Sequence, residues 1–365
     1  MLTTLFYVFI GVLSIQIFYW IGIYLNFAIA KPHENNPKRI PVSIILYTKN
    51  QMHLLNNLLP KLLSQQYHEF EIVIVNNAST DDTADMCKEF ATMYPNIRLV
   101  NVVNNEAFWG SKRYALTLGI KASRYEYLLF IDSDSQVISD QWLWQMSSHF
   151  TLNKTTVIGH TEFTRKKGLF NKWIRFDHTF TQLQTFAFSK FIKPYHLYAK
   201  NVAYKKEEFF NVNGFIEYMN EYQYEQELML KKIAHSKNTV ICDQPQAKII
   251  VDAFENKTDW RNHKRNQINL LKRLSFGANF FHSLYNITKI IFYFVTIALL
   301  IALYNPIIVG SLFAAYFFIS WLIMNAAYNK FEQKDLKWIF PIFEIFSIFS
   351  IIRFIPAYLS KSKKS

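Results

Sequence analysis

Cysteine is nearly absent. Cys87 and Cys242 are the only two in 365 residues, too few for a disulfide framework, and nothing in the chain asks for an oxidising compartment. Nine glycines and ten prolines exclude collagen-like and low-complexity repeats. Charge is also sparse: 18% of the residues are charged, against 51% hydrophobic and 17% aromatic, and a chain this apolar does not stay disordered in water. Residues 1–30 carry no charged side chain at all. About 20 apolar residues suffice to cross a bilayer, and this run is longer. It lacks the basic n-region and the small-residue cleavage site of a signal peptide, so residues 1–30 are expected to form an uncleaved transmembrane anchor.

The charge that is present leans basic, with 40 Lys+Arg against 27 Asp+Glu and a net +13. Nucleic acid, anionic lipid and a phosphorylated small molecule would each suit that balance. The basic residues gather beside apolar segments: Lys31, Lys38 and Arg39 follow the first, and Arg261, Lys264, Arg265, Lys272 and Arg273 precede the next. They do not interleave with aromatics on a polar face, which argues against nucleic acid. The positive-inside tendency then places the region after the anchor in the cytoplasm, at the plasma membrane, and membrane lipids become expected partners.

Residues 40–275 have the composition of a soluble domain. Short β-branched runs at 42–46, 71–75, 97–103 and 127–131 alternate with helical patterns at 52–65, 82–94 and 111–122. Strands apolar on nearly every residue, separated by helices, predict an α/β fold with a mostly parallel sheet covered on both faces. Apolar character returns over 285–325. Asn305-Pro306 breaks this run into a transmembrane hairpin, because Pro disrupts a helix interior, and Lys289 falls near one edge. A further segment, 338–359, carries Glu344 and Arg353 and is expected to span, re-enter or lie at the interface. The basic tail 361–364 favours the last two. Arg165, Lys166, Lys167, Lys172 and Arg175 flank Leu169, Phe170, Trp173 and Ile174, as an amphipathic stretch at a membrane surface would; a solvated loop face is the plainer reading.

Asp132-Ser133-Asp134 is the sharpest local signal. It ends the apolar run 127–131, and the carboxyl ends of strands are where α/β sheets bind ligands. Carboxylates two residues apart on extended backbone point to one side and repel unless a cation sits between them. Hard oxygen ligands suit Mg²⁺ or Mn²⁺, which in turn bind diphosphates; two acids in a solvated loop are the alternative. Asn76, Asn77 and the hydroxyls of 79–83 follow a second strand, where they can cap the next helix or read a nucleobase edge.

In order and spacing, PVSIILYTKN (41–50), EIVIVNNASTDDT (71–83), GSKRYAL (110–116) and FIDSDS (130–135) resemble the successive blocks of a family 2 glycosyltransferase of GT-A fold. NVAYKK (201–206) with NGF (213–215) is similar to the acceptor-side block, and YEQEL (224–228) stands where the family has its acidic general base. Trp260 and NHKRN (262–266) echo its QxxRW block. The resemblance covers about residues 40–275. It implies that Tyr47, Thr48, Asn76, Asn77 and Lys112 bind a nucleotide sugar. Asp132 would lie near ribose and metal, Asp134 would ligate Mg²⁺ or Mn²⁺, Glu225 would be the base, and Arg265 would close over the diphosphate. Asn201 and Trp260 would meet the acceptor, and Trp260 would otherwise anchor at the interface. The family usually has Asp at position 76 or 77; Asn both donates and accepts, which is compatible with uracil and a UDP-sugar donor. Glu225, one methylene longer than the usual Asp, has Glu221 and Glu227 as near neighbours. The flanking apolar segments resemble those of membrane-bound members that build cell-envelope polysaccharides or glycosylate lipids, so the expected acceptor is lipid-linked or a glycan. The rival expectation is a membrane transporter or scaffold whose α/β domain only binds nucleotide.

Overall fold

The computed structural model describes residues 1–36, 38–103, 111–219 and 223–359. Gly110, Glu221 and the basic tail 361–364 fall outside them. The chain divides into two compact units. One comprises Pro32–Thr164 and Pro194–Ala253; the other takes in Met1–Lys31, Arg165–Lys193 and the described residues from Phe254 to Leu359.

The first unit is built on strands whose sequences are apolar on both faces. β1 (Val42–Thr48), β2 (Phe70–Asn77), β3 (Ile97–Val102) and β4 (Tyr127–Asp132) come first, then the short β5 (Ser135–Val137), β6 (Thr156–Gly159) and β7 (Thr161–Phe163). β8 (Val202–Lys205), β9 (Thr239–Cys242) and β10 (Ile249–Val251) complete the set. Among the described residues they form a seven-stranded sheet in the order β3-β2-β1-β4-β8-β6-β9 and a three-stranded one in the order β5-β10-β7. β1 pairs in parallel with both β2 and β4, whereas β8 runs antiparallel to β4 and β6. The sheet is thus mixed and mostly parallel on its N-terminal side, as the alternating pattern predicts. β5 was not foreseen as a strand separate from the Asp-Ser-Asp turn.

Helices cover this sheet by single apolar stripes. Met52–Leu63 buries Leu55, Leu58, Leu59 and Leu62, the i, i+3, i+4, i+7 spacing of one helix face. Lys112–Ala122 starts at Ser111, whose hydroxyl accepts the Tyr114 amide and satisfies an otherwise orphaned donor. Gly119 brings this helix against the sheet: a Cβ there would lie 2.4 Å from Val75 Cγ2.

Chain order fixes where a ligand would sit. From β1 the chain moves outward through β2 and β3, then returns to the other side of β1 with β4. The crevice at such a reversal, outside the carboxyl ends of the strands, is where open α/β sheets bind ligands. In register, Tyr47 lies opposite Asp132 and Thr48 opposite Asn76.

The second unit contains, among the described residues, four helices long and apolar enough to cross a membrane: Leu2–Ala28, Phe276–Ile301, Pro306–Lys330 and Phe340–Leu359. The first continues through a π-helical stretch, Phe18–Leu25. Asn305 takes φ 45° as the residue before the helix beginning at Pro306, so the Asn-Pro break turns the chain where the sequence puts it. The preceding helix starts at Phe276, earlier than its apolar run. Lys289 is therefore mid-helix rather than near an edge, and it is neutralised by Glu344 at 2.7 Å. The stretch around 165–175 enters the helix Leu169–Phe188. Arg175 belongs to no solvated face: its guanidinium is buried and pairs with Asp335 at 2.6 Å and Gln333 at 2.6 Å. Lys257–Arg273 forms a further helix, capped by Asn256.

Candidate active site

Four charged side chains of the first unit converge at the β1/β4 reversal. The Lys112 ammonium, on the first turn of its helix, donates to both oxygens of Asp132 at 2.7 and 2.8 Å. The Lys200 ammonium donates to Asp132 at 2.8 Å and to both oxygens of Asp134 at 2.8 and 3.0 Å. All four side chains keep some exposure, from 18% for Asp132 to 34% for Asp134, so the cluster is half-buried and open to a ligand. Beside it, Leu54, Asn57, Lys61, Ser133 and Asp134 help line a pocket of about 390 Å³.

Electrostatics favour the charged forms of Asp132, Lys112 and Lys200. Burial works against the charged Asp132 carboxylate, but Lys112 and Lys200 outweigh it and hold the carboxyl well below its usual range. Burial likewise opposes charge on Lys112 and Lys200, and the carboxylates reverse that penalty, leaving both ammonium groups raised.

The expected base pocket sits along the same strand ends. The Lys112 ammonium lies 4.7 Å from the centroid of the Tyr47 ring, a cation–π distance. The Tyr47 hydroxyl accepts from Asn77 Nδ2 at 3.1 Å. Asn76 is buried and turned within the protein, donating to Asn101 at 3.0 Å and accepting the Ser79 hydroxyl at 2.6 Å. Thr48 is fully buried, and its hydroxyl has no hydrogen-bond partner among the described residues. Asn50, at φ 52°, accepts the Thr80 amide at 2.8 Å and so ties the end of β1 to the loop after β2. The asparagine and hydroxyl run thus closes turns, and of its members Asn77 is joined to the charged cluster through Tyr47.

Glu225 opens the helix Glu225–Ile233, and Tyr224 before it adopts a left-handed φ of 72°. Such a conformation in a bulky residue persists only where its surroundings impose it. The Arg113 guanidinium, 1% exposed, lies 3.8 Å from the Glu225 carboxylate and also donates to the Gln223 carbonyl. Glu225 acts electrostatically on both Lys112 and Tyr47, so it shares the field of the cluster. Glu227 accepts the Ala199 amide at 2.9 Å; burial raises its carboxyl, and Glu225 and Lys112 also act on it.

Asn201, Trp260 and Arg265 complete the residues read from the sequence. Asn201 is buried, and its amide donates to the carbonyls of His160 and Ala247 at 2.9 and 2.8 Å while its oxygen accepts from Trp142 at 3.3 Å. It is a tie between strands. Trp260 and Arg265 belong to the second unit. Trp260 is buried, its ring 6.1 Å from Trp173 and 6.0 Å from Phe354; Arg265 is exposed. In the sequence, Lys200 and Arg113 carry no assigned role, and Glu227 is marked only as a near neighbour of Glu225. Lys200 directly precedes the acceptor-side block NVAYKK (201–206).

The donor set fits a divalent cation. Oxygens of Asp132 and Asp134 already meet on one positive centre, the Lys200 nitrogen, so the two carboxylates can share a cation. Among the described residues no group of three His, Cys, Asp or Glu side chains forms a closed metal cage. Mg²⁺-type sites commonly use one or two carboxylates and complete their shell from substrate phosphates and water.

Known proteins supply the frame for this geometry. Residues 43–212 match the family described as Glycosyl transferase family 2. The chain is 31% identical over 133 residues to a poly-β-1,6-N-acetyl-D-glucosamine synthase of Staphylococcus epidermidis, covering 36% of this chain and 31% of that one. It is 30% identical over 103 residues to the uncharacterized glycosyltransferase YibD of Escherichia coli K12, covering 28% of each. The chain thus spans about a third of the length of these relatives. The mannosyltransferase PcManGT of Pyrobaculum calidifontis, solved with GDP-Man and Mn²⁺, aligns over 94% of this chain and 99% of its own at 15% identity, with a TM-score of 0.57, a likeness of fold. Strand order, the charged reversal point and the matched span agree: residues 43–212 form a glycosyl transferase family 2 domain on a GT-A fold.

Proposed function

We propose that the protein is an inverting glycosyltransferase, embedded in the plasma membrane with its catalytic unit in the cytoplasm. It would move a sugar from a nucleotide-sugar donor, for which a UDP-sugar is our first choice, to a hydroxyl of a lipid-linked or polysaccharide acceptor. The observation that carries this reading is the convergence of Asp132, Asp134, Lys112 and Lys200 at the strand reversal of a family 2 domain. The synthase of S. epidermidis is named for a polysaccharide, and PcManGT was solved with a nucleotide sugar and Mn²⁺; both names point to the same class of reaction. The four apolar helices favour an acceptor that is itself membrane-bound.

In this reading Tyr47 and Asn77 hold the base, and Lys112 neutralises part of the diphosphate charge. Asp132 and Asp134 would hold Mg²⁺ or Mn²⁺, which supplies positive charge to the leaving diphosphate. Glu225 takes the proton from the acceptor hydroxyl as that oxygen bonds to the anomeric carbon. The bond from that carbon to the diphosphate oxygen breaks with its electron pair, releasing the nucleoside diphosphate. Arg113 keeps the Glu225 carboxylate in place.

The test is transfer of labelled sugar from UDP- and GDP-sugars into lipid extracts of membranes containing the protein. Transfer should stop with EDTA, return with Mn²⁺ or Mg²⁺, and fall by at least about 100-fold in Asp134→Asn. Nucleotide binding without any transfer, across donors and acceptors, would instead favour a non-enzymatic scaffold.

A further inference from the structure

Among the described basic residues of the first unit, Lys200 is placed differently from the rest. Its ammonium contacts both carboxylates of the pair at once, whereas Lys112 reaches Asp132 alone. Its backbone is clamped on both sides. The preceding amide, of Ala199, is bound by Glu227, and the following side chain, of Asn201, is bound to two carbonyls. The flexible four-carbon stem is what remains able to move. Two carboxylates this close repel each other without a cation, and here the chain supplies one.

We propose that Lys200 is the internal counter-ion of the Asp132–Asp134 pair: it holds the carboxylates together when no divalent ion is bound, and it competes with that ion for the same oxygens. The inference rests on reading the pair as the cation site of a nucleotide-sugar transferase, and it deepens that reading by giving the site a gate. Metal alone must expel an ammonium that loses its partners. Metal arriving with a diphosphate brings oxygens that can take the ammonium up. Glu227 is then a positioning residue, fixing the segment from which Lys200 reaches.

The experiment is a Mn²⁺ titration of the full chain in detergent, without nucleotide, following free Mn²⁺ by electron paramagnetic resonance. Lys200→Gln should bind Mn²⁺ at least about tenfold more tightly than wild type, as expected for removing one like charge from a half-buried site. Lys200→Arg, which keeps the charge, should stay within about threefold of wild type. Asp134→Asn added to Lys200→Gln should abolish the gain. Lys200→Met replaces the Gln variant if the latter does not give a monodisperse protein. Equal or weaker binding by the neutral variant overturns the inference, as does an equal gain in Lys200→Arg. The two readings fail separately. Metal-dependent transfer with no affinity gain in Lys200→Gln removes the counter-ion and leaves the transferase. A gain with no turnover of any nucleotide sugar does the reverse.

Discussion

Glu225 and Glu227 sit two residues apart on one short helix, yet their surroundings differ. Glu225 faces Arg113 and contributes to the field at Lys112 and Tyr47, while Glu227 is tied to the Ala199 amide. A proton acceptor is needed only at the reacting hydroxyl. Glu225→Gln should therefore lower kcat by about 10²- to 10⁴-fold with donor affinity within about threefold of wild type, measured by single-turnover transfer and nucleotide binding. Glu227→Gln should instead disturb Mn²⁺ affinity through Lys200. A second residue sets acid stability. Burial first, and His33 next, push His149 from 6.5 down to about 4. The unfolded chain takes up this proton below about 6.5 but the folded one not until about 4, so the stabilisation is complete above that window and fades as pH falls through it. Linkage puts the loss at up to ~3 kcal/mol. Melting curves from pH 7.5 to 4.5 should fall more steeply for wild type than for His149→Phe. At this scale the sequence is only partly legible. Asp132 and Asp134 stand out because they follow a buried strand, whereas Lys200 is 68 residues from Asp132 in a stretch with no periodicity to mark it. Asn201 shows why: a buried tie and a binding amide look alike in one dimension.

Elements were easier to read, for a physical reason. β1, β2 and β4 are covered on both faces, so nearly every residue must be apolar, and the helix between β1 and β2 repeats its leucines at helical spacing. Pairing is not written in that pattern. Nothing in 135–137 or 249–251 announces the small sheet, because three-residue strands carry too little alternation to distinguish them from loops. The contact between elements also carries function, since β2 ends in Asn76 and Asn77. Gly119 lets the helix Lys112–Ala122 lie on β2, and an added methyl would meet Val75 at 2.4 Å. Val75 is fully buried and cannot swing away. Although alanine favours a helix over glycine by about 1 kcal/mol, overpacking of a closed core costs about 1–3 kcal/mol. Gly119→Ala should thus lower the melting temperature and weaken nucleotide binding together. Gly119→Ala combined with Val75→Ala, which removes the clashing methyls, should recover much of both.

For the molecule as a whole, hydropathy gives the number of long apolar helices but not how they are held together. A polar network does that within the second unit. Gln16 donates to Thr288 at 2.8 Å, Lys289 pairs with Glu344 at 2.7 Å and donates to Ser347 at 2.8 Å, and the Tyr316 hydroxyl donates to Glu344 at 3.2 Å. These residues come from all four apolar helices. Lys289 and Glu344 are almost wholly buried, and each alone would be a charge stranded without water. Removing one partner of such a pair costs about 3–5 kcal/mol, whereas replacing both by well-packed neutral groups is often close to neutral. Lys289→Met and Glu344→Gln should each reduce the yield of monodisperse protein in detergent and lower its melting temperature, and the double variant should recover most of the loss. Catalysis sharpens the test, because neither residue belongs to the transfer machinery. The double variant should keep a near-wild-type donor KM and metal requirement. If it instead folds normally yet loses transfer to a lipid-linked acceptor while still hydrolysing the donor, the pair serves the acceptor rather than the assembly of the helices.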